Sequence, residues 1–304
     1  MQTLNIIGAG RVGQTLGRLW HSNGVFAVQD VLTNSAASAQ SACDFIGAGT
    51  AAPTLAAMRP AEVWMLAVPD AQIAAVAGLL AASVQAQAKA VTASSPHVAS
   101  GADSAQPPCA PIVFHCSGAQ SALSLSPLAD LGWHTASAHC ILSFANAEAA
   151  VQQFPGTACA LEGDAAAIAM LHSVFTAIQA RCFEVESHNK LLYHAAAVFA
   201  TNFLPVIQSV AEDAWLATGV PQELLPSLRS ALLNNAVTNI TRLGPAGALT
   251  GPAARGDVAA IAKQAEAVTQ WDARAGAAYE SLSALALRLA KASTETSATP
   301  ASSH

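Results

Sequence analysis

Residues 4–13 read LNIIGAGRVG, and Val12, Leu16, Leu19 and Trp20 follow at helical spacing. A short apolar run ending in glycines suits a buried parallel strand, and apolar recurrence every three or four residues marks a helix packed by one face. Between them Gly8-Ala9-Gly10-Arg11-Val12-Gly13 fits G-x-G-x-x-G. Alone the match is weak. After a strand, opening a helix, at the head of an α/β pattern, it is specific. Gly8 permits the tight turn, Gly10 lets a pyrophosphate approach the backbone, and Gly13 lets helix and strand pack closely. The helix start offers unbonded N–H groups and a positive dipole end to phosphates. Gly8, Ala9, Gly10, Arg11, Val12 and Gly13 are therefore expected to hold a dinucleotide.

Working outward, strand-like runs recur at 25–33, 62–68 and 112–115, with helical stretches at 35–45 and, alanine-rich, after Pro69-Asp70. This alternation predicts an α/β fold, a doubly wound Rossmann domain over residues 1–148. Within it, 85–111 shifts to Ala, Ser, Pro and Gln and reads as a surface insertion. Short strands are expected at 157–161 and 182–185, around a helix at 164–178. Helices then dominate, at 188–218, 222–243 and 257–292, with a kink at Pro205. Residues 149–292 thus read as a mostly α-helical domain, and 293–304 as a disordered tail.

The 304 residues are 53 % hydrophobic, enough to build two cores. Only 11 % are charged, the formal net charge is −6, and there is no Lys/Arg block, so a nucleic-acid partner is not expected. A small anionic ligand needs only one local positive site. Two stretches, 71–88 and 191–211, raise the membrane question. The first owes its hydropathy to alanine; the second carries His194, Asn202, Pro205 and Gln208, which are costly in hydrocarbon. Both are expected to be buried helices of a soluble protein. With no secretory signal at the N-terminus, the expected location is the cytoplasm. The cysteines at 43, 109, 116, 140, 159 and 182 form no C-x-x-C pair, and the histidines show no ligand spacing. Free thiols and no bound metal are expected.

Cofactor choice turns on the end of the second strand. An acid there binds a ribose hydroxyl and repels a 2′-phosphate. Here it ends in Thr33-Asn34-Ser35. Neutral hydroxyl and amide groups donate to a 2′-phosphate, and Arg11 reaches from the glycine loop. Asp30 is the ribose acid only if the strand ends early. NADP is thus favoured over NAD, with Asn34 and Ser35 at the cofactor. Val68 and Pro69, closing the 62–68 strand, line the cofactor or begin the next helix.

Three further patches carry candidate chemistry. After the 112–115 strand, Ser117 and the neighbouring glycine amide suit a substrate carboxylate or a nicotinamide amide, or simply a helix cap. His139, ending a later strand, faces the same cleft or is a packed core histidine. On the helix from 188, Lys190 and His194 are four residues apart on one face, with Asn202 two turns on. A cation, an imidazole and an amide on an apolar helix are costly unless used. Lys190 is the candidate proton donor or oxyanion stabiliser, His194 an alternative acid/base, and Asn202 a substrate-orienting group. Alternatively, Lys190 snorkels to solvent. Last, a Gly/Pro-rich loop over 244–257 holds Arg255, suited to a bidentate carboxylate contact, and Asp257, a helix cap or a partner for Arg255.

The segments IIGAGRVG (6–13), AVPD (67–70), FHCSGA (114–119), SAHCILSF (137–144), KLLYHAAAVFATN (190–202) and GPAGALTGPAARGD (244–257) together resemble a family of two-domain proteins. Its N-terminal domain is Rossmann-like and its helical C-terminal domain is of unknown function. In plan it is similar to 6-phosphogluconate and β-hydroxyacid dehydrogenases, ketopantoate reductase and pyrroline-5-carboxylate reductase. The resemblance implies Lys190 and His194 as a catalytic pair supported by Asn202. It also implies a homodimer through the helical domain. Two positions depart from the family: Cys140 stands where proline is common, and Asn34 where many members carry arginine.

The expectation is an NADP-dependent oxidoreductase, moving hydride to or from a small carbonyl, imine or hydroxy acid in an interdomain cleft. Ser117, His139 and Arg255 would contact the substrate. The alternatives are a non-catalytic NADP(H) sensor and a deazaflavin-linked NADP reductase.

Overall fold

The computed structural model describes residues 1–94 and 110–298. The chain divides into two compact units, Met1–Phe199 and Ala200–His304.

In the first unit the elements are β1 (Gln2–Ile7), α1 (Arg11–Ser22), β2 (Phe26–Leu32), α2 (Ala36–Ile46), β3 (Thr50–Ala51), β4 (Val63–Leu66), α3 (Ile73–Ser94) and β5 (Ile112–His115). There follow α4 (Ser126–Ala129), β6 (His134–Cys140), α5 (Ala147–Gln153), β7 (Ala158–Gly163), α6 (Ala165–Ala177), β8 (Arg181–Glu184) and α7 (Lys190–Ala197). The eight strands make one sheet, ordered β3-β2-β1-β4-β5-β6-β7-β8. β1 to β6 are parallel, in the order of a doubly wound dinucleotide-binding sheet. β7 runs antiparallel to β6, and β8 runs parallel to β7. The order reverses between β1 and β4, which opens a crevice at their carboxyl ends.

Each face of the sheet is covered by its own apolar layer. On one, Trp20 of α1 meets Phe26, Phe114 and Phe175 edge-on, at ring separations of 5.3, 6.2 and 5.2 Å. The Trp20 indole donates to the Val174 carbonyl at 3.0 Å. On the other face, Ile73, Ala77 and Leu80 of α3 lie over Trp64, Leu66, Val113 and Trp133.

The Trp20–Phe175 contact explains a difference from the sequence reading. The boundary expected at residue 148 does not divide the units. β7, α6 and β8 extend the same sheet, and α6 packs against α1. The first unit therefore continues to Phe199. The insertion expected at 85–111 is shorter at its start, since α3 runs on to Ser94, while β5 begins at Ile112 as expected; residues 95–109 lie outside the described residues.

The second unit is helical: α8 (Phe203–Ala217), α9 (Leu225–Ala248), α10 (Gly251–Ala254), α11 (Val258–Trp271) and α12 (Ala273–Ala298). The kink expected at Pro205 is a π turn over Val198–Asn202, where the chain widens before a proline that can neither donate nor clear the preceding turn. The single helix expected at 257–292 is two. Asp272 is extended and its carboxylate accepts from Ala275 N at 2.7 Å, capping α12. The tail expected from 293 is helical to Ala298; 299–304 lie outside the described residues. The 244–257 loop is partly helical too, broken at Gly244 with φ 70°.

Two helices, Asp70–Lys89 and Ser187–Ala217, are long and apolar enough to cross a membrane. The expectation that both are buried is not met. The first buries one face against the sheet, while the apolar window of the second is wholly unburied. Alanine and leucine on all sides of a helix exceed what one packed face can cover.

Phe175 is fully buried and contacts both Trp20 and Phe114. Phe175→Ala is expected to destabilise the first unit by about 3–5 kcal/mol, read by urea unfolding followed by tryptophan fluorescence.

Candidate active site

A cleft of about 720 Å³ opens at the carboxyl ends of β1, β2 and β4. Gly8 through Val12 form its floor, with Thr33, Asn34 and Ser38 at one end and Val68, Pro69 and Phe144 among the other walls. Gly8 has φ +83°, and a Cβ there would lie 2.6 Å from a Val68 methyl. Gly13 does not line the cleft. Its missing Cβ would sit 2.7 Å from the Gly8 carbonyl oxygen, so its role is the close approach of α1 to the turn. Over Gly10 nothing lies within 4 Å, leaving the backbone open to a ligand. No side chain caps α1, so its first N–H groups face the cleft.

The end of β2 is built differently from one expectation. Ser35 does not reach the cleft. It is the N-cap of α2, accepting from Ser38 N at 3.1 Å. Ser38 takes its place, its hydroxyl 2.5 Å from that of Thr33. Asp30 is not a ribose acid. It is buried in the strand and clamped by Arg59, whose Nη2 donates at 2.6 Å and whose backbone N donates at 2.7 Å. The cleft rim therefore carries hydroxyls and an amide and no free carboxylate at β2. Arg11 lines the same cleft.

A second constellation gathers at the ends of β5, β6 and β7. Lys190, the first residue of α7, is 2 % exposed. It does not snorkel. Its Nζ donates to the Ser137 hydroxyl at 2.6 Å and to the Ser117 carbonyl at 3.1 Å. Burial pushes its pKa down, while the Glu162 and Asp70 carboxylates hold it up. The Ser117 hydroxyl is engaged locally. It donates to Asp70 at 2.7 Å and accepts from the amides of Ala119 and Gln120, which leaves no donor for a substrate carboxylate. His115, fully buried, orders this loop through Ser117 N and the Ser121 carbonyl.

His139 shares a 2.7 Å hydrogen bond with the Tyr193 hydroxyl and lies 5.8 Å, ring to ring, from His194. Burial, with neighbouring His194 and Lys190, lowers its pKa to about 4, so the ring is neutral near pH 7. Nδ1 of His194 is buried without a hydrogen-bond partner among the described residues. Both rings crowd Gly118, where any Cβ would lie within 3 Å of each. Cys116, its thiol pushed up to about 12 by burial, is no thiolate nucleophile.

Lys190, His194, His139 and Ser117 are thus neighbours within the first unit. Asn202 and Arg255 belong to the second unit. Asn202 ends the π turn and accepts from Thr201 Oγ1 at 2.8 Å; Arg255 is exposed at the end of α10. Asp257 caps α11 through Ala260 N. Glu162 and Tyr193 are site neighbours that the sequence reading does not single out. The signal for Glu162 was one acid inside an otherwise apolar strand, Ala158–Gly163.

Residues 2–110 match the model of a Rossmann-like domain, and 157–286 that of a domain of unknown function, DUF2520. The segment similar to DUF2520 begins at Thr157 and so includes β7, α6, β8 and α7, and with them Glu162 and Lys190. No curated protein matches the sequence. Among solved structures, protein TM1727 from Thermotoga maritima is similar over 96 % of this chain and 99 % of its own, at 22 % identity and TM-score 0.71. BF3122 from Bacteroides fragilis, assigned as an NADP oxidoreductase, matches over 94 % and 98 %, at 18 % and 0.65. Plasmodium falciparum pyrroline carboxylate reductase, solved with NADP bound, matches over 95 % and 98 %, at 10 % and 0.53. At these identities the likeness is one of fold.

Because the folded pKa of His139 lies below its ordinary 6.5, the unfolded chain takes up the proton first. Stability is expected to fall as pH drops from 6.5 toward 4. His139→Asn should flatten that slope in urea unfolding across this range. His115, also lowered by burial, keeps part of it.

Proposed function

We propose that this chain is an NADP-dependent oxidoreductase acting on a small carbonyl, imine or hydroxy-acid substrate. The observation that carries the reading is the cleft over an uncapped helix start, rimmed by Thr33, Asn34 and Ser38 where an acid would repel a 2′-phosphate. Two proteins of similar fold point the same way, one assigned as an NADP oxidoreductase and one holding NADP.

The dinucleotide supplies or takes up the hydride. The turn from Gly8 to Val12 binds its pyrophosphate, and Arg11 with Asn34 and Ser38 receives the 2′-phosphate. Lys190 hydrogen-bonds the substrate oxygen or nitrogen; in reduction it gives that atom a proton as charge develops there, and in oxidation of a hydroxy acid it takes the hydroxyl proton back. Its burial strengthens that contact, since water no longer competes. His139, held neutral, accepts or donates one hydrogen bond without adding charge. The protein works in solution, in the cytoplasm.

A second copy of the chain covers the apolar helix faces of the second unit, giving a homodimer. What supports this is the exposure of Leu204, Val206, Ile207, Leu232, Val237 and Ile240 on α8 and α9, a large apolar surface for a monomer to leave in water.

Fluorescence titration tests the cofactor assignment. NADPH should bind in the micromolar range, NADH more weakly, and Gly10→Asp should lose both while remaining folded; absence of binding to the parent protein overturns the reading. In a screen of keto acids and cyclic imines, Lys190→Met should lower turnover about 10²–10⁴-fold with NADPH affinity nearly unchanged. Sedimentation velocity should show a dimer that the double change Val237→Glu, Ile240→Glu converts to monomer.

A further inference from the structure

The role given to Lys190 leaves one buried group without a task. Glu162 on β7 is 3 % exposed and, among the described residues, has no Lys or Arg in direct contact. A carboxylate so buried is costly unless its lone pairs are satisfied. Here every contact is a donor. Oε2 accepts from Ala122 N at 2.8 Å and from the Ser137 hydroxyl at 2.9 Å; Oε1 accepts from the Ser187 hydroxyl at 2.6 Å.

Ser137 fixes the sense of the chain. A hydroxyl has one proton and two lone pairs. With its proton on Glu162, its oxygen can only accept from Lys190, which it does at 2.6 Å. The ammonium has three N–H groups. Two go to Ser137 and the Ser117 carbonyl, and the third has no partner among the described residues. We propose that Glu162 is a positioning residue for Lys190. Acting through Ser137, it keeps the amine protonated and leaves the third N–H aimed at the substrate. This rests on the reading of Lys190 as proton donor.

The other groups around Lys190 do not duplicate the role. His115 on β5 and His139 on β6 are held neutral by burial. The thiols of Cys116 and Cys159 are held protonated. Asp70, after β4, is the second carboxylate acting on the amine, but it lies on the exposed side and bonds the Ser117 hydroxyl, not the carbonyl that Lys190 uses.

The chain has four lysines, at 89, 190, 263 and 291, so the Lys190 resonance can be assigned by its loss in Lys190→Met. An NMR pH titration of lysine labelled at Cε reads its protonation without any substrate. Glu162→Gln keeps the shape: its carbonyl can accept from Ala122 and Ser137, and its amide can donate to Ser187. In E162Q the Lys190 midpoint should fall by about one pH unit or more, because burial is then opposed by one carboxylate fewer. Asp70→Asn should move it less. Should E162Q fail to fold, Ser137→Ala, which cuts the link but keeps the acid, is expected to shift the midpoint in the same direction. An unchanged midpoint in E162Q, or in the folded Ser137→Ala protein standing in for it, overturns the inference whatever the activity. A lowered midpoint supports it even if no substrate is turned over, in which case the oxidoreductase reading alone falls. Where turnover is found, the proton-donor limb of kcat against pH should move to lower pH in E162Q while KM for NADPH stays put.

Discussion

A lysine ammonium almost sealed from water makes demands on everything around it. Left alone in a protein interior it would lose its proton or unfold its surroundings. Around Lys190 the answer is two acceptors, the Ser117 carbonyl after β5 and the Ser137 hydroxyl on β6, backed by two carboxylates that do not touch it, Glu162 on β7 and Asp70 after β4. Meeting that demand requires the antiparallel pairing of β6 with β7, which sets Ser137 opposite Glu162. It also requires α7 to begin where β8 leaves the sheet. The extension of the sheet beyond six strands and the chemistry of the site are therefore the same fact seen at two scales.

The glycine turn imposes a different kind of constraint, one of space. Gly8 and Gly13 are there because a methyl group has nowhere to go, and Gly10 because the room above it is kept free. The glycine turn lies at the carboxyl ends of parallel strands, as expected for an open α/β sheet, whereas the Lys190 site lies past the end of β5, where antiparallel β7 brings Glu162 to Ser137. Clamping Asp30 on Arg59 removes from the end of β2 the charge that would decide against a 2′-phosphate. Among the described residues the second unit has no comparable cluster of buried polar groups. Its helices carry apolar residues outward.

Much of this was written plainly in the residues. The strand ending in glycines, the helix after it and the alternation as far as β5 follow from local periodicity and turn chemistry. So does the helical character of the second half. Lys190 was conspicuous because a cation on an apolar helix is expensive. What the chain could not declare was which expensive groups meet. Glu162 lies 28 residues before Lys190 on another element, and Ser137 is an ordinary serine until a strand places it between the two. Ser35 and Ser38 are interchangeable in sequence, and only the cap of α2 decides which faces the cleft.

The sequence by itself therefore determined the class of fold, the pyrophosphate turn and the residue worth watching, because each rests on contacts within a few positions along the chain. Only the tertiary structure decided where the first unit ends, that Asp30 is occupied and Ser117 saturated, and that a buried carboxylate stands behind Lys190. Those outcomes depend on hydrogen bonds between strands distant in sequence, and the preference of a residue for its neighbours in the chain carries no information about them.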